Sequence, residues 1–188
     1  FKPRGAFNTL LSEGAPEAGV VAASGGNHGA AVAFAAKTLG HNARIYVPEV
    51  AGSAKIFLIE TMGADLQVVP GKYADAMVRA QAWEAKTGAR QVHAYDTVAT
   101  VAGQGSLAHE WQDQGLTADT IFIAVGGGGL IAGAAAWFGG DKKIVAVEPA
   151  TSCALHAALE QGEPVDVDVS GVAVNALGAT RIGQICFD

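Results

Sequence analysis

The segment Ser24-Gly25-Gly26-Asn27-His28-Gly29 combines side chains and glycines that suit the binding of an anion. It lies between a short apolar run, predicted to be a strand, and an alanine-rich stretch, predicted to be a helix. Glycines allow the backbone to approach a ligand closely, and the amides at the start of a helix attract negative charge. A carboxylate is the expected ligand, with a hydroxyl from Ser24 and an amide from Asn27. A simple helix N-cap and its turn would account for Ser24 or Asn27 equally well.

A second loop, Gly126-Gly127-Gly128-Gly129-Leu130, also joins a predicted strand to a predicted helix. Consecutive glycine amides can form a cradle for a phosphate, and the dipole of the following helix favours the same charge. Tight packing of a strand against a helix explains one or two glycines but hardly four. The loop therefore predicts a phosphate site.

The same loop supports a rival interpretation. Gly127, Gly129 and Ala132 fit the G-x-G-x-x-A pattern of dinucleotide sites. Glu148, at the end of the next predicted strand, has about the spacing of an acidic residue that holds a nucleotide ribose. On this interpretation the chain is an NAD-binding dehydrogenase domain, or a nucleotide-binding module without catalysis. The pattern has low specificity by itself.

Lys2 gives no physical signal of its own, since a lone lysine near a chain end is normally a solvated charge. Its neighbours give a different indication. In their order along the chain, three segments together resemble the fold-type II pyridoxal-5′-phosphate (PLP) enzymes, specifically the serine/threonine dehydratase family: Phe1-Lys2-Pro3-Arg4-Gly5-Ala6, Ser24 to Gly29, and Gly126 to Leu130. Val101-Ala102-Gly103-Gln104-Gly105-Ser106 is similar to that family's Gly-Gln-Gly-Thr stretch, with serine in place of threonine.

The resemblance implies a cofactor, a reaction and a role for each segment. Lys2 would hold PLP as a Schiff base and would then remove the α-proton of the substrate. L-Threonine or L-serine would lose its β-hydroxyl and yield a 2-oxo acid and ammonia. Asn27 would hold the 3′ oxygen of PLP, and Phe1 would lie against its ring. The phosphate would bind to Gly126, Gly127, Gly128, Gly129 and Leu130. The substrate carboxylate would bind to Ser24, Gly25, Gly26, Asn27 and His28.

Two departures from the family pattern bear on the reaction. Serine racemases of this group have a second serine where this chain has Gly25, and that serine supplies a proton on the face opposite the lysine. Glycine has no such proton, so we expect elimination rather than racemisation. Some members bind a divalent cation through the glutamate matching Glu148 and an acidic residue six positions later. Ala154 stands at that later position, so no metal site is predicted.

Other activities of the same family stay open at this point. They are serine racemase, threonine synthase and 3-hydroxyaspartate ammonia-lyase. The resemblance further implies a homo-oligomer, a dimer or larger, and family segments before Lys2 and after Asp188.

The elements that would position these loops alternate between strands and helices. Strands are predicted over 20–23, 43–47, 65–69, 120–125 and 143–147, and helices over 27–39, 53–62, 104–112, 130–138 and 152–159. A further helix is indicated by Tyr73, Met77, Ala80 and Trp83, whose spacing predicts a stripe facing the core. Such alternation is typical of an α/β fold with parallel sheets flanked by helices.

The resemblance implies the tryptophan synthase β-like architecture of fold-type II, with two domains. The smaller domain is expected over 19–95, and the larger one over 1–18 plus 96–188, with the cofactor between them.

Composition excludes several function classes. A net charge of −6 without a basic run argues against nucleic acid and anionic membranes as partners. Residues 121–140 carry no charge and reach transmembrane length, but four consecutive glycines disfavour a lipid-exposed helix. The chain has only two cysteines, Cys153 and Cys186, too few for a disulfide framework, and this favours a reducing cytoplasm.

Overall fold

The computed structural model describes all 188 residues of the chain, in two compact units. The N-terminal unit contains Lys2 and Ala6–His93, and the C-terminal unit contains Phe1, Pro3–Gly5 and Ala94–Asp188. The predicted division into domains 19–95 and 1–18 plus 96–188 stays a prediction, while the contacts group residues 6–18 with the N-terminal unit.

The N-terminal unit is built on four parallel strands in the order β3-β2-β1-β4. The four residues of β1 are all buried, because this strand lies inside the sheet and helices cover it. The strands of this sheet are β1 (Val20–Ala23), β2 (Ala43–Pro48), β3 (Asp65–Val69) and β4 (Arg90–Gln91). The helices are α1 (Lys2–Glu13), of which Pro3–Gly5 are grouped with the C-terminal unit, α2 (Asn27–Thr38), α3 (Ser53–Thr61) and α4 (Tyr73–Thr87), with a short 3₁₀ turn over Glu49–Ala51.

The C-terminal unit contains a pair of parallel strands and the helices that pack on them. The strands are β5 (Thr120–Ala124) and β6 (Lys143–Val147). The helices are α5 (Val98–Asp113), α6 (Gly129–Phe138), α7 (Ala154–Gln161), α8 (Val174–Leu177) and α9 (Gln184–Phe187). Its core includes Ile123, Val125, Ala134 and Phe138, which come from β5, the residue after it and α6.

The predicted α/β class with parallel sheets and flanking helices is confirmed. All five predicted strands are present, to within one residue at their ends. The stripe on α4 is confirmed for Met77, Ala80 and Trp83, which pack in or against the core, but it is wrong for Tyr73, which is 45% exposed. None of the helices combines the length and the hydropathy needed to span a bilayer.

Candidate active site

Lys2 is the first residue of α1, and burial changes its acid–base behaviour. Desolvation lowers the pKa of its ammonium group from 10.5 to about 8, because a low-dielectric surrounding disfavours the charged form. A lysine with such a pKa provides a useful fraction of neutral amine near neutral pH. A neutral amine is the form that attacks a carbonyl or accepts a proton. The structure thus supplies a physical reason to single out Lys2 that the sequence lacks.

His28, in the first turn of α2, is a buried neutral imidazole. Its Nε2 lies 2.8 Å from the backbone oxygen of Val92. A carbonyl can only accept, so Nε2 carries the hydrogen and donates it. Burial and then the nearby Lys2 ammonium lower the pKa of His28 to about 3. The imidazole therefore adds no positive charge beside Lys2, and only the backbone amide of His28 is left for a ligand at the helix start.

The loop from Ser24 to Gly26 holds its own shape and leaves the start of α2 uncapped. Ser24 is buried, and its hydroxyl oxygen accepts a hydrogen bond from the Gly26 amide at 3.2 Å. Gly26 is the N-cap residue of α2, and no side chain caps this helix. The first amides of a helix have no acceptor inside it. Ser24 therefore forms a turn, as that interpretation expected, but neither Ser24 nor Asn27 caps α2, and the start of the helix is left open to an anion.

Two glycines of this segment are required by close packing. A Cβ on Gly25 would lie 2.5 Å from the Cβ of Ala51, although the backbone of Gly25 is not in the left-handed region. A Cβ on Gly29 would lie 2.7 Å from the backbone oxygen of Ser24. Larger residues at either place would displace the loop. Asn27, the first residue of α2, is exposed, so its amide group is accessible.

The tetraglycine loop follows β5 and begins α6 in the same manner. Gly128 is the N-cap residue, with φ of 92°, a backbone conformation that favours glycine. No side chain caps α6, so the amides of its first turn, including that of Leu130, point out of the helix without an intrahelical acceptor. Amides and helix dipole together suit a phosphate.

Packing on the protein side of this loop leaves no room for a side chain at three of its four glycines. Side chains on Gly127 and Gly129 would overlap Tyr95, and a Cβ on Gly128 would lie 2.5 Å from the Cβ and Sγ of Cys186. The Gly127 oxygen also accepts a hydrogen bond from the Gly183 amide at 3.1 Å. These contacts come from Tyr95 and Cys186 rather than from a strand packed on a helix, so the phosphate role of the loop stays a prediction. Tyr95 and Cys186 support the loop, and nothing in their local sequence signals it.

Cys186 is a poor nucleophile in this place. Burial, followed by the charges of Glu148 and Asp96, raises the pKa of its thiol to about 11. The neutral thiol packs on Gly128 without adding negative charge near a phosphate. Its contribution to the site is therefore one of shape.

Glu148 has a structural task that the sequence does not reveal. Its two carboxylate oxygens accept hydrogen bonds from the amides of Leu155 and His156, both at 2.9 Å. These amides belong to the first turn of α7, so the carboxylate caps that helix and complements its dipole. A carboxylate engaged in this way is a poor ribose ligand, which weakens the dinucleotide interpretation.

The predicted site residues are distributed over both units. Lys2 and the segment from Ser24 to His28 belong to the N-terminal unit, where Lys2 is close enough to His28 to affect its titration. Phe1 and the segment from Gly126 to Leu130 belong to the C-terminal unit. Phe1 is 51% exposed.

Comparison with known proteins gives a consistent result. A family model described as "Pyridoxal-phosphate dependent enzyme" matches residues 1–188. The biosynthetic L-threonine dehydratase of Haemophilus influenzae is 36% identical over 192 residues, which cover 100% of this chain and 37% of that protein. The chain thus spans well under two thirds of the length of this relative.

Two solved structures are similar over nearly the whole chain. The processed form of threonine deaminase isoform 2 from Solanum lycopersicum has a TM-score of 0.90 and 30% identity, covering 99% of this chain and 56% of that one. Maize serine racemase has a TM-score of 0.92 and 29% identity, covering 99% of this chain and 58% of that one. The glycine loops and Lys2 therefore lie in a fold shared with a deaminase and a racemase.

Proposed function

Since this chain belongs to the family of pyridoxal-phosphate dependent enzymes, we propose that the protein converts L-threonine or L-serine into a 2-oxo acid and ammonia. The observation that carries the proposal is Lys2, whose ammonium pKa is lowered to about 8 next to a neutral His28. The Haemophilus influenzae and Solanum lycopersicum relatives, a dehydratase and a deaminase, support the same reaction class.

PLP, the cofactor of this family, supplies an electron sink for the bond that breaks at the α-carbon. Each unit by itself offers groups that suit PLP: the N-terminal unit has a lysine amine of lowered pKa and an uncapped helix start, and the C-terminal unit has a second uncapped helix start. Lys2 is the residue that would hold PLP covalently. Gly126, Gly127, Gly128, Gly129 and Leu130 would hold its phosphate, Asn27 its 3′ oxygen, and Phe1 would pack on its ring.

Lys2 would also move the proton. With PLP and a substrate bound, the neutral Lys2 amine would accept the α-proton of the substrate, and the lowering of its pKa to about 8 by burial favours that neutral form. His28 stays neutral and so does not compete for that proton. The substrate carboxylate would be held by the amides at the start of α2 and by the loop of Ser24, Gly25 and Gly26.

Elimination is favoured over racemisation because of Gly25. Racemisation requires a proton donor on the face opposite Lys2, and Gly25 provides no such group. Loss of the β-hydroxyl, by contrast, needs only the base on the Lys2 face to begin. The similarity to maize serine racemase makes racemisation the second candidate activity.

The remaining inferences concern the whole protein. Serine and threonine differ by one methyl group, worth only about 1–3 kcal/mol of discrimination, so both are retained as substrates. A homo-oligomeric state and a cytoplasmic location stay predictions. The dinucleotide interpretation is not retained, because Glu148 caps α7 and the family match is to PLP enzymes.

The test is to supply the PLP-loaded protein with L-threonine and L-serine and to measure 2-oxo acid with a coupled dehydrogenase. Lys2→Ala should lower kcat by at least about 10²-fold, the usual cost of losing a positioned base. Lys37→Ala, at an exposed position on α2, serves as the matched control and should retain activity. Absence of 2-oxo acid from the unmodified protein would refute the proposed function.

A further inference from the structure

Two segments of the family signature have no role in the account so far. They are Arg4-Gly5, which follows Lys2, and Gly103-Gln104-Gly105-Ser106 on α5. Both lie within the C-terminal unit, and the structure places them in direct contact.

The guanidinium group of Arg4 binds two side chains of α5, those of Ser106 and Glu110. One terminal nitrogen, Nη1, donates to the hydroxyl oxygen of Ser106 at 3.1 Å. The other, Nη2, forms an ion pair with the Glu110 carboxylate. The Ser106 hydroxyl itself donates to the backbone oxygen of Gly103 at 2.7 Å. This bond fixes the orientation of the hydroxyl, whose oxygen accepts the hydrogen bond from Arg4. A planar guanidinium with two partners has one favoured orientation.

Gly5 allows the backbone after Arg4 to pack closely against α5. It is buried, and a Cβ on it would overlap the Gln104 side chain and would lie 2.9 Å from the Cγ2 of Thr100. The same Cβ would also lie 3.0 Å from the backbone oxygen of Thr100, which cannot rotate away as a flexible side chain can. The segment Pro3–Gly5 therefore packs closely against α5, and the bonds of Arg4 fix the orientation of this segment on α5.

α5 also packs by backbone contact against α6, the helix that follows the tetraglycine loop. A Cβ on Gly105 would lie 2.8 Å from the backbone oxygen of Gly133, and a Cβ on Gly133 would lie 2.5 Å from the Gly105 nitrogen and the Val101 oxygen. Such backbone contact between α5 and α6 allows very little sliding. α5 thus supports both the turn that follows Lys2 and the helix that begins at the tetraglycine loop.

We propose that Arg4 is a positioning residue for Lys2: through Ser106 and Glu110 it fixes the first turn of α1 on α5, and so the direction of the Lys2 amine. The inference rests on the proposed function in one respect, since it takes Lys2 to be the residue that bears PLP. Arg4 need not touch the cofactor or the substrate for this role.

Arg4→Lys and Arg4→Gln separate geometry from charge, because lysine keeps the positive charge but cannot bind both partners in the same plane. In the PLP-loaded protein, both variants should lower kcat by about 10- to 100-fold, the usual effect of a misplaced catalytic group. Stopped-flow absorption should show the same slowing when methylamine, which has none of the other substrate groups, displaces Lys2 from PLP.

The ion pair at the other end of α1 is a matched control. Arg90 Nη1 lies 2.6 Å from Glu13 Oε2, in the last residue of the same helix. Arg90→Gln should lower the thermal midpoint about as much as Arg4→Gln, yet it should leave kcat and the methylamine rate unchanged. Ser106→Ala and Glu110→Gln should each reproduce part of the Arg4 effect, and Ser106→Thr, which retains the hydroxyl, should not.

Wild-type rates in Arg4→Lys would overturn the inference, and so would an equal loss of rate in Arg90→Gln. Mapping of the lysine that bears PLP in the unmodified protein keeps the two proposals distinct. A label elsewhere than Lys2 contradicts the proposed function itself. A label on Lys2 together with normal rates in Arg4→Lys contradicts only the positioning role.

Discussion

Replacing Lys2 with methionine should stabilise the PLP-free protein near neutral pH. The folded protein holds the Lys2 ammonium in a place where burial lowers its pKa to about 8, from 10.5 in a solvated chain. An ammonium group whose pKa is lower in the folded than in the unfolded state lowers the free energy of unfolding for as long as it is protonated. Methionine has a similar length and no charge, so the substitution removes this cost and retains the packing.

The difference between the two pKa values corresponds to about 3 kcal/mol as an upper limit. Lys2 is only partly buried, and solvent screening reduces the figure, so we expect about 1–3 kcal/mol. Below pH 8 both states are charged and the whole cost is present. Between about pH 8 and 10.5 the folded state has lost its proton and the unfolded state has not, so stability rises with pH. Above 10.5 the cost is gone.

Urea unfolding of the PLP-free protein at several pH values measures this effect. Lys2→Met should be more stable than the unmodified protein at pH 7, and the two should converge toward pH 10.5. Lys37→Met, at an exposed position of the same unit, controls for the loss of a positive charge. A Lys2→Met protein that is less stable at pH 7, or a difference that does not change with pH, would refute the reasoning.

Three other outcomes are expected. Gly25→Ser should lower the free energy of unfolding by about 1–3 kcal/mol, because the new Cβ meets Ala51. Adding Ala51→Gly to this variant should restore part of that stability in thermal unfolding and permit D-serine formation, measured by chiral chromatography. Equal stability of the single and the double variant would contradict the contact. The His28 ring should stay neutral, with its hydrogen on Nε2, in NMR titrations down to pH 4, whereas a midpoint near pH 6 would contradict its burial. Glu148→Gln should lower the raised pKa of Cys186 and speed its alkylation at pH 9, and an unchanged rate would show that the Glu148 charge has no effect there.

The fold was largely predictable because its signals are local. Apolar runs followed by glycine loops and alanine-rich stretches gave the strands and most of the helices. The start of α5 was missed because Val98 and Val101 are β-branched and disfavour helix. That helix begins six residues before the predicted one, where the Thr97 side chain accepts a hydrogen bond from the Thr100 amide.

The start of α1 and the support of the site were not predictable from local pattern. Gly5 disfavours a helix, although Pro3 is tolerated in a first turn, and Gly5 allows the close contact of this turn with α5. Tyr95 lies more than thirty positions before the tetraglycine loop, and Cys186 lies more than fifty positions after it. Local sequence pattern does not indicate contacts over such separations. The lowered pKa of Lys2 likewise depends on burial, which only the folded structure reveals.

Borohydride reduction of the PLP-loaded protein, followed by peptide mapping, shows directly which lysine bears the cofactor. Reduction makes the bond between PLP and its lysine permanent, so the labelled peptide identifies the residue without any assumption about substrate. We expect a pyridoxyl group on Lys2. A pyridoxyl group on Lys55, Lys72 or any other lysine would contradict it.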